Sequence, residues 1–582
     1  MKNGQKHIIN REVLEFTVSE RNRAQSIQNK VSEIVRLKLN PSLDQLFSRI
    51  SGSDEIIRIE QLIIDLGTIT GEELENELTD KIISEIRNRI ELLLKKSRSD
   101  IREKTVLNYS QNQNNTDAGI LLINRQNDFL AQFVYYLEHG FLPWWSKSVI
   151  QNKVSENSSI KSLLKEVFNV ERHSLRRAVI PLFKKEKIRK RLIFQCNHSC
   201  LHELLKKLNT ELFTSYSDNF QLLLTCAGSA QISKLLTESF YKTVLLYFSV
   251  ETELNTENQK INFVKDILDL ALAKKEEEEK GKILFDILRT SQIKTQVSQS
   301  KEYLPVMVAV IQVTTELTSK SKFFQQMIQD LTLKNDSVIN TVIEQAVIKT
   351  NKEIAEKNKN EKYKAIKGSG EFLTEEGFLL EEKVRKNNSE TDKEKENDKY
   401  KVKPFSVFSS KPETDREQIL IYNAGLVIIH PFLKYFFEGL NLLNAELQFK
   451  DENEAFKAVH LLQFIATGKE STPEAELSLN KILCGLDVTE PVPLNVPLSN
   501  EEKEECLFLI KTVLERWEAL KTTNPAALRE TFIQRDGMLK QAGQSWNLTI
   551  ERNTFDVMLE KLPWSYTLVK LPWCEQILYV EW

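Results

Sequence analysis

Apolar and polar positions follow several different rhythms along this 582-residue chain, and each change of rhythm marks an expected change of architecture. Near the start, Leu14, Phe16 and Val18 alternate as in a strand. Ser19 is placed to cap the helix that follows, with Asn22 as an imperfect stand-in for the acidic residue of a capping box. Ile27, Val31, Ile34, Val35 and Leu39, then Leu43, Leu46 and Phe47 beyond Pro41, continue at helical spacing. A second strand is expected over residues 55–66, ending at Gly67 and Thr68. Leu74, Leu78, Ile82, Ile86 and Ile90 recur every four positions and predict a helix that starts at Thr70 or Gly71. The order β-α-β-α gives two strands that need the helices packed over them.

Residues 97–119 are polar and rich in asparagine and glutamine, and read as a linker. Residues 120–350 read almost entirely as helix. Phe129, Phe133, Tyr136 and Leu137 lead to Gly140 and Pro143, which stop the first helix, and Trp144 and Trp145 cover its end. Further apolar blocks fall at Leu163 to Phe168, Leu175 to Leu182 and Leu204 to Leu208, then at 221–249, 261–289, 302–329 and 338–349. No exact period links them, so the reading is a helical array or an irregular bundle. Residues 351–414 break the pattern. Between 351 and 403, 14 basic side chains are interleaved with 13 acidic ones, as in a flexible charged connector.

The densest apolar run, Ile419 to Phe437, begins the last part of the chain. Tyr422, Asn423 and Lys434 interrupt it too often for a membrane span, so it reads as the first core element of a compact domain. Helical patterns follow at Phe456 to Phe464, Pro473 to Leu483, Glu501 to Leu520 and from Leu528 to a turn at Gly537. Trp546, Leu548 and Ile550 alternate as a strand, and Asn553 caps a helix that runs to Leu562. Tyr566 and Leu568 begin another strand, and Leu578, Val580 and Trp582 close the pattern. The fold class is therefore mainly α and multidomain: an N-terminal α+β domain at 1–96, a polar linker at 97–119, a helical middle at 120–350, a charged linker at 351–414 and a C-terminal α+β domain at 415–582.

Composition narrows the function more than the fold. The formal net charge of −3, from 80 basic and 83 acidic side chains, gives no sign of a dedicated nucleic-acid binder. Six scattered cysteines do not make a disulfide framework and fit a reducing compartment. Lys2, Lys6 and His7 are followed by Asn10, Arg11, Glu12 and Glu15, so no signal-peptide core follows them and general secretory export is not expected.

Few residues carry candidate chemistry. Asp65-Leu66-Gly67-Thr68 lacks the glycine-rich cradle and lysine of a nucleotide loop and reads as a strand-ending turn. Cys196, His198, Cys200 and His202 have metal-ligand chemistry. On one continuous helix, however, the cysteines share one face and the histidines another, so the four cannot close a tetrahedral cage. His430, His460, Asn480, Cys484 and the carboxylates around Glu530 are the only candidates for a catalytic pocket, and no nucleophile elbow, P-loop or zinc-protease motif accompanies them. Neither a catalytic, a cofactor-binding nor a metal site is expected. On the residues alone, a generic intracellular scaffold that bridges partners through its two ordered ends stays open.

Three stretches resemble the tape measure proteins of contractile injection systems, the phage-tail-like particles that bacteria assemble. They are Ile57 to Ile69, Gly140 to Trp145 and nearly everything from Asn423 to Trp582, in that order. The resemblance implies a non-enzymatic protein that sets tube and sheath length during assembly and occupies or organises the tube interior. It also implies inner tube, baseplate and spike proteins as partners, with self-association and without nucleic acid or a membrane span. The chain would be cytoplasmic during assembly and then lie within the particle. All 582 residues in one helix would reach roughly 870 Å, on the order of a short injection tube.

Overall fold

The computed structural model describes residues 7–9, 12–16, 24–50, 55–59, 62–67, 77–104, 120–146, 159–298, 301–318 and 418–582. The expected linker residues 105–119, the helical blocks beyond 318 and the charged connector 351–414 lie outside them. The chain is mainly α, with a two-stranded sheet near its start and a five-stranded sheet near its end. It divides into two compact units, residues 1–171 with 402–582 and residues 172–401.

In the first unit, α1 (Ala24–Ile34) runs through a π turn at Val35–Leu39 into α2 (Asn40–Ile50). The widened turn has a physical cause in Pro41, which has no N–H for the ladder and whose ring would crowd a carbonyl one turn back. The turn closes with Asn40 N–H donating to Val35 O. β1 (Glu55–Ile59) is shorter than the 55–66 expected. The turn beyond it is present: Gly67 sits at φ 63° and its N–H donates to Asp65 Oδ1 at 2.9 Å. α3 (Leu78–Lys104) places Leu78, Ile82, Ile86 and Ile90 against Leu39, Leu43 and Leu46 in one core.

Three sequence expectations fail here. Residues 12–16 carry no strand, although Leu14 packs against the core, and Val18 lies outside the described residues. β1 instead pairs antiparallel with β2 (Ile120–Asn124), from Glu55↔Asn124 to Ile59↔Ile120. β2 thus supplies the second strand of this sheet, a place that residues 12–16 do not take. Residues 120–124 are thus strand and not the start of the helical middle, and α3 extends past residue 96 into the expected polar linker.

Asn124 ends β2 and caps α4 (Arg125–His139), accepting from Asn127 N–H at 2.7 Å. Gly140, at φ 81°, ends α4 as expected, and Trp144–Ser146 form a 3₁₀ turn. α5 (Ser159–Val167) buries Leu163, Leu164 and Val167.

The second unit is a helical bundle: α6 (Arg172–Val179), α7 (Glu186–Gln195), α8 (His198–Leu208), α9 (Thr210–Leu224), α10 (Ala230–Val250), α11 (Glu257–Leu272), α12 (Glu277–Ser298) and α13 (Leu304–Thr318). Asn197, Asn209, Ser229 and Thr256 cap α8 to α11 through their side chains, which fixes four of the corners. Leu204, Val244, Phe263, Ile267, Leu284 and Val310 are fully buried at its centre.

The C-terminal part begins with β3 (Gln418–Ile421), a buried 3₁₀ segment (Ala424–Ile429) and α14 (His430–Gly439). The apolar run at 419–437 is therefore three elements folded into the core. α15 (Glu452–Thr467), α16 (Ser478–Leu483), α17 (Asn500–Arg516) and α18 (Pro525–Leu528) follow, then β4 (Gly537–Ala542), β5 (Ser545–Ile550), β6 (Leu568–Val569) and β7 (Ile577–Glu581). The sheet order is β3-β4-β5-β7-β6, with β5 and β7 parallel and the other pairs antiparallel. Asn553 caps a 3₁₀ helix (Thr554–Lys561) through a capping box with Asp556. β3 also lies against the 3₁₀ turn Trp144–Ser146, so the first and last parts of the chain meet in one unit.

Candidate functional site

The cysteine-histidine cluster does not lie on one helix. Cys196 is the extended residue that ends α7, and Asn197 caps α8 by accepting from Cys200 N–H at 2.9 Å. Hydrogen bonding with Cys200, and then burial, hold the Cys196 pKa well above its ordinary value. The histidines are occupied elsewhere: His198 stacks on Tyr241 with ring centroids 5.0 Å apart, and His202 meets the Phe213 ring edge-on at 4.8 Å. Among the described residues, no three His, Cys, Asp or Glu side chains come together as a cation site.

The catalytic candidates are also dispersed. His430 Nδ1 bonds to Val427 O and His460 Nε2 to Pro493 O, both at 2.9 Å, and burial lowers both pKa values. Burial pushes the Cys484 thiol well up, and Glu530 is exposed. Among the described residues, no side-chain hydrogen bond joins any two of His430, His460, Asn480, Cys484 and Glu530. A cleft of about 550 Å³ lies between Gln448, Asp487, Trp573 and Gln576, and none of these five lines it. Among the described residues, these five candidates do not bring an acid, a base and a nucleophile within reach of one another.

The structure instead ties together the stretches that carry the sequence resemblance. Arg58, from the first stretch, forms a buried ion pair with Asp128, and its guanidinium lies over the indole of Trp145 from the second. Asp128 is held in turn by Gln132 Nε2 at 2.7 Å. In the C-terminal part, Asn423 Nδ2 donates to Gln463 Oε1 at 2.9 Å and Asn480 Oδ1 at 2.7 Å, while Asn480 Nδ2 donates to Val459 O at 3.1 Å. This buried amide cluster pins the end of β3 to α15 and α16. Asn480, a candidate for chemistry in the sequence, is a packing residue here.

Around it, the 3₁₀ segment after β3 is clamped to the residues before β4. Ala424 N–H donates to Arg535 O at 2.9 Å, and a Cβ on Gly425 would lie 1.7 Å from Phe532 O. Arg529 and Gln534 donate to the last carbonyls of α15, at Phe464, Ile465 and Ala466. Arg535 pairs with Asp556 at 2.8 Å and faces the Trp582 ring. Lys481 and Glu474 form an ion pair at 2.7 Å with both side chains fully buried, and Lys481 Nζ also donates to Val488 O at 3.0 Å.

Sequence reasoning missed most of these contacts. Lys481 and Glu474 look like surface charges, and only Asn423, polar within an apolar run, signalled a buried polar contact. No helix among the described residues is long and apolar enough to cross a membrane. A family model described as contractile injection system tape measure protein matches residues 6–582. No curated protein and no solved structure matches the chain. The likeness carried by three separate stretches thus extends over nearly the whole length, and the chain belongs to the contractile injection system tape measure protein family.

Proposed function

We propose that this protein determines tube and sheath length during assembly of a contractile injection particle, without catalysing a reaction. The observation that carries the reading is the family match over residues 6–582. It is supported by the long helical stretch from Arg172 to Thr318 and by candidate acid-base residues that are dispersed. The division into N-terminal α+β region, helical middle, charged connector and C-terminal α+β region assigns the jobs: the ends recognise baseplate and spike proteins, and the residues between them span the inner tube. The compact units must open for this, because a fully helical contour is roughly 870 Å whereas α3, the longest described helix, has 27 residues and reaches about 40 Å. The chain is present in the cytoplasm during assembly and inside the particle afterwards.

In-frame removal or duplication of whole helices between α6 and α13 tests the proposal. Electron micrographs of the resulting particles should show tube length changing in proportion to the residues removed or added. Unchanged length with the altered protein incorporated would eliminate the ruler and leave an assembly scaffold.

A further inference from the structure

We propose that the corner formed by α6, α7 and α8 is a docking surface for an acidic protein segment, one rich in aspartate and glutamate. Residues 172–207 hold 11 lysines and arginines against 2 carboxylates, a net charge of +9 in a chain that totals −3. The rest of the same bundle, residues 208–318, is acidic, with 11 basic and 15 acidic side chains. The positive charge is gathered in space as well as in sequence. Arg189 Nη1 donates to Phe183 O at 2.6 Å and Lys184 O at 3.0 Å, which holds α7 against the turn Ile180–Lys184. Arg172 Nε donates to Leu208 O at 3.4 Å and brings the start of α6 beside the end of α8, where Lys206 and Lys207 lie. α6, about 12 Å long, spans the distance between these two clusters.

The side chains that stay outward select the partner. Arg172 and Arg189 are held by backbone carbonyls, Arg176 donates to Glu251 Oε1 at 2.7 Å, and Arg191 is fully buried. The exposed charge is therefore carried mainly by Lys184, Lys185, Lys187 and Lys206, with Arg177. Lysine ammoniums are flexible point charges that meet single carboxylates, whereas clamping of phosphates draws most on the planar fork of arginine. A single-stranded nucleic acid also needs aromatic platforms, and residues 172–208 expose no Phe, Tyr or Trp. Phe183 is buried, and Phe194 is half-buried with Lys190 over its ring. Attraction between such a surface and a carboxylate-rich segment steers encounter and weakens with salt. The inference rests on charge and placement alone and holds whether or not the chain sets tube length.

Fluorescence anisotropy of a dye-labelled polyglutamate peptide, titrated with the full-length protein at low ionic strength, tests it. Wild type should bind, with affinity falling as salt is raised. Lys184→Glu, Lys185→Glu and Lys187→Glu together should weaken binding roughly tenfold or more. Lys274→Glu, Lys282→Glu and Arg289→Glu together make the same change of charge at exposed positions elsewhere in the bundle, and should cost less than about threefold. Circular dichroism checks that both variants are folded. Absence of peptide binding by wild type would overturn the proposal, as would equal loss in the two variants or no loss in the first. Duplex DNA of matched charge that binds wild type more tightly than the peptide would also overturn it, and would assign the surface to a nucleic acid.

Discussion

The guanidinium carbon of Arg58 lies 4.4 Å from the centroid of the Trp145 ring, while the same guanidinium pairs with the buried carboxylate of Asp128. One side chain thereby joins β1, α4 and the turn after α4. Arg58→Ala should destabilise the protein by about 3 kcal/mol, because it leaves Asp128 buried without its partner. Arg58→Lys should recover only part of the loss, since an ammonium keeps the charge but not the planar stack. Urea denaturation gives the values, and equal stability of the lysine variant and wild type would show that stacking contributes nothing.

Gly425→Ala should cost about 3 kcal/mol or more, since its Cβ would meet backbone at Phe532 and the adjacent Ala424–Arg535 hydrogen bond holds the two segments together. Gly543→Ala is the comparison. There, at φ 64° with open space around it, only the backbone preference is lost, about 1 to 2 kcal/mol. Thermal melts that rank the two variants the other way would contradict the packing argument.

Lys481→Met should destabilise by about 3 to 5 kcal/mol because Glu474 stays buried without a counter-charge. The double variant Lys481→Met with Glu474→Leu should recover most of that loss. A double-mutant cycle measures the coupling, and a double variant no more stable than the single one would place the cost in packing and not in charge.

His460 should make the fold acid-sensitive. Its folded pKa is lowered below the ordinary 6.5 by burial. As pH falls through 6.5, the unfolded chain takes up a proton that the folded chain refuses, so stability declines with acidification until the folded pKa is reached. His460→Gln should flatten this component as pH falls below about 7. Identical stability slopes for the variant and wild type would remove His460 as a contributor.

What was legible in the sequence depended on whether the neighbours of a residue lie nearby along the chain. Trp546, Leu548 and Ile550 alternate because one face of β5 is buried, and Asn553 announces its capping box within three residues. Glycine at 140 and proline at 143 also marked the end of α4 correctly. The strand at Ile120–Asn124 was not legible, since a short apolar run has no period of its own and its partner, β1, lies far upstream. Likewise, a continuous helical reading smooths over the break at Asn197, which leaves Cys196 at the end of α7 and Cys200 in the first turn of α8. The Lys481–Glu474 pair could not be read at all, because burial of a charge is decided by the fold around it.

β3 has a mechanical consequence. It is an edge strand, and tension carried along the chain from residues before Gln418 reaches the C-terminal part through it. A pull along the strand axis shears all four rungs to β4 together, whereas a pull across it unzips them in turn from Gln418↔Lys540 inward. Either way, the load next meets Asn423, anchored to Gln463 and Asn480, and Ala424, bonded to Arg535. The ladder to β4 and the buried Ile419 and Ile421 thus lie ahead of these anchors along the path of such a load.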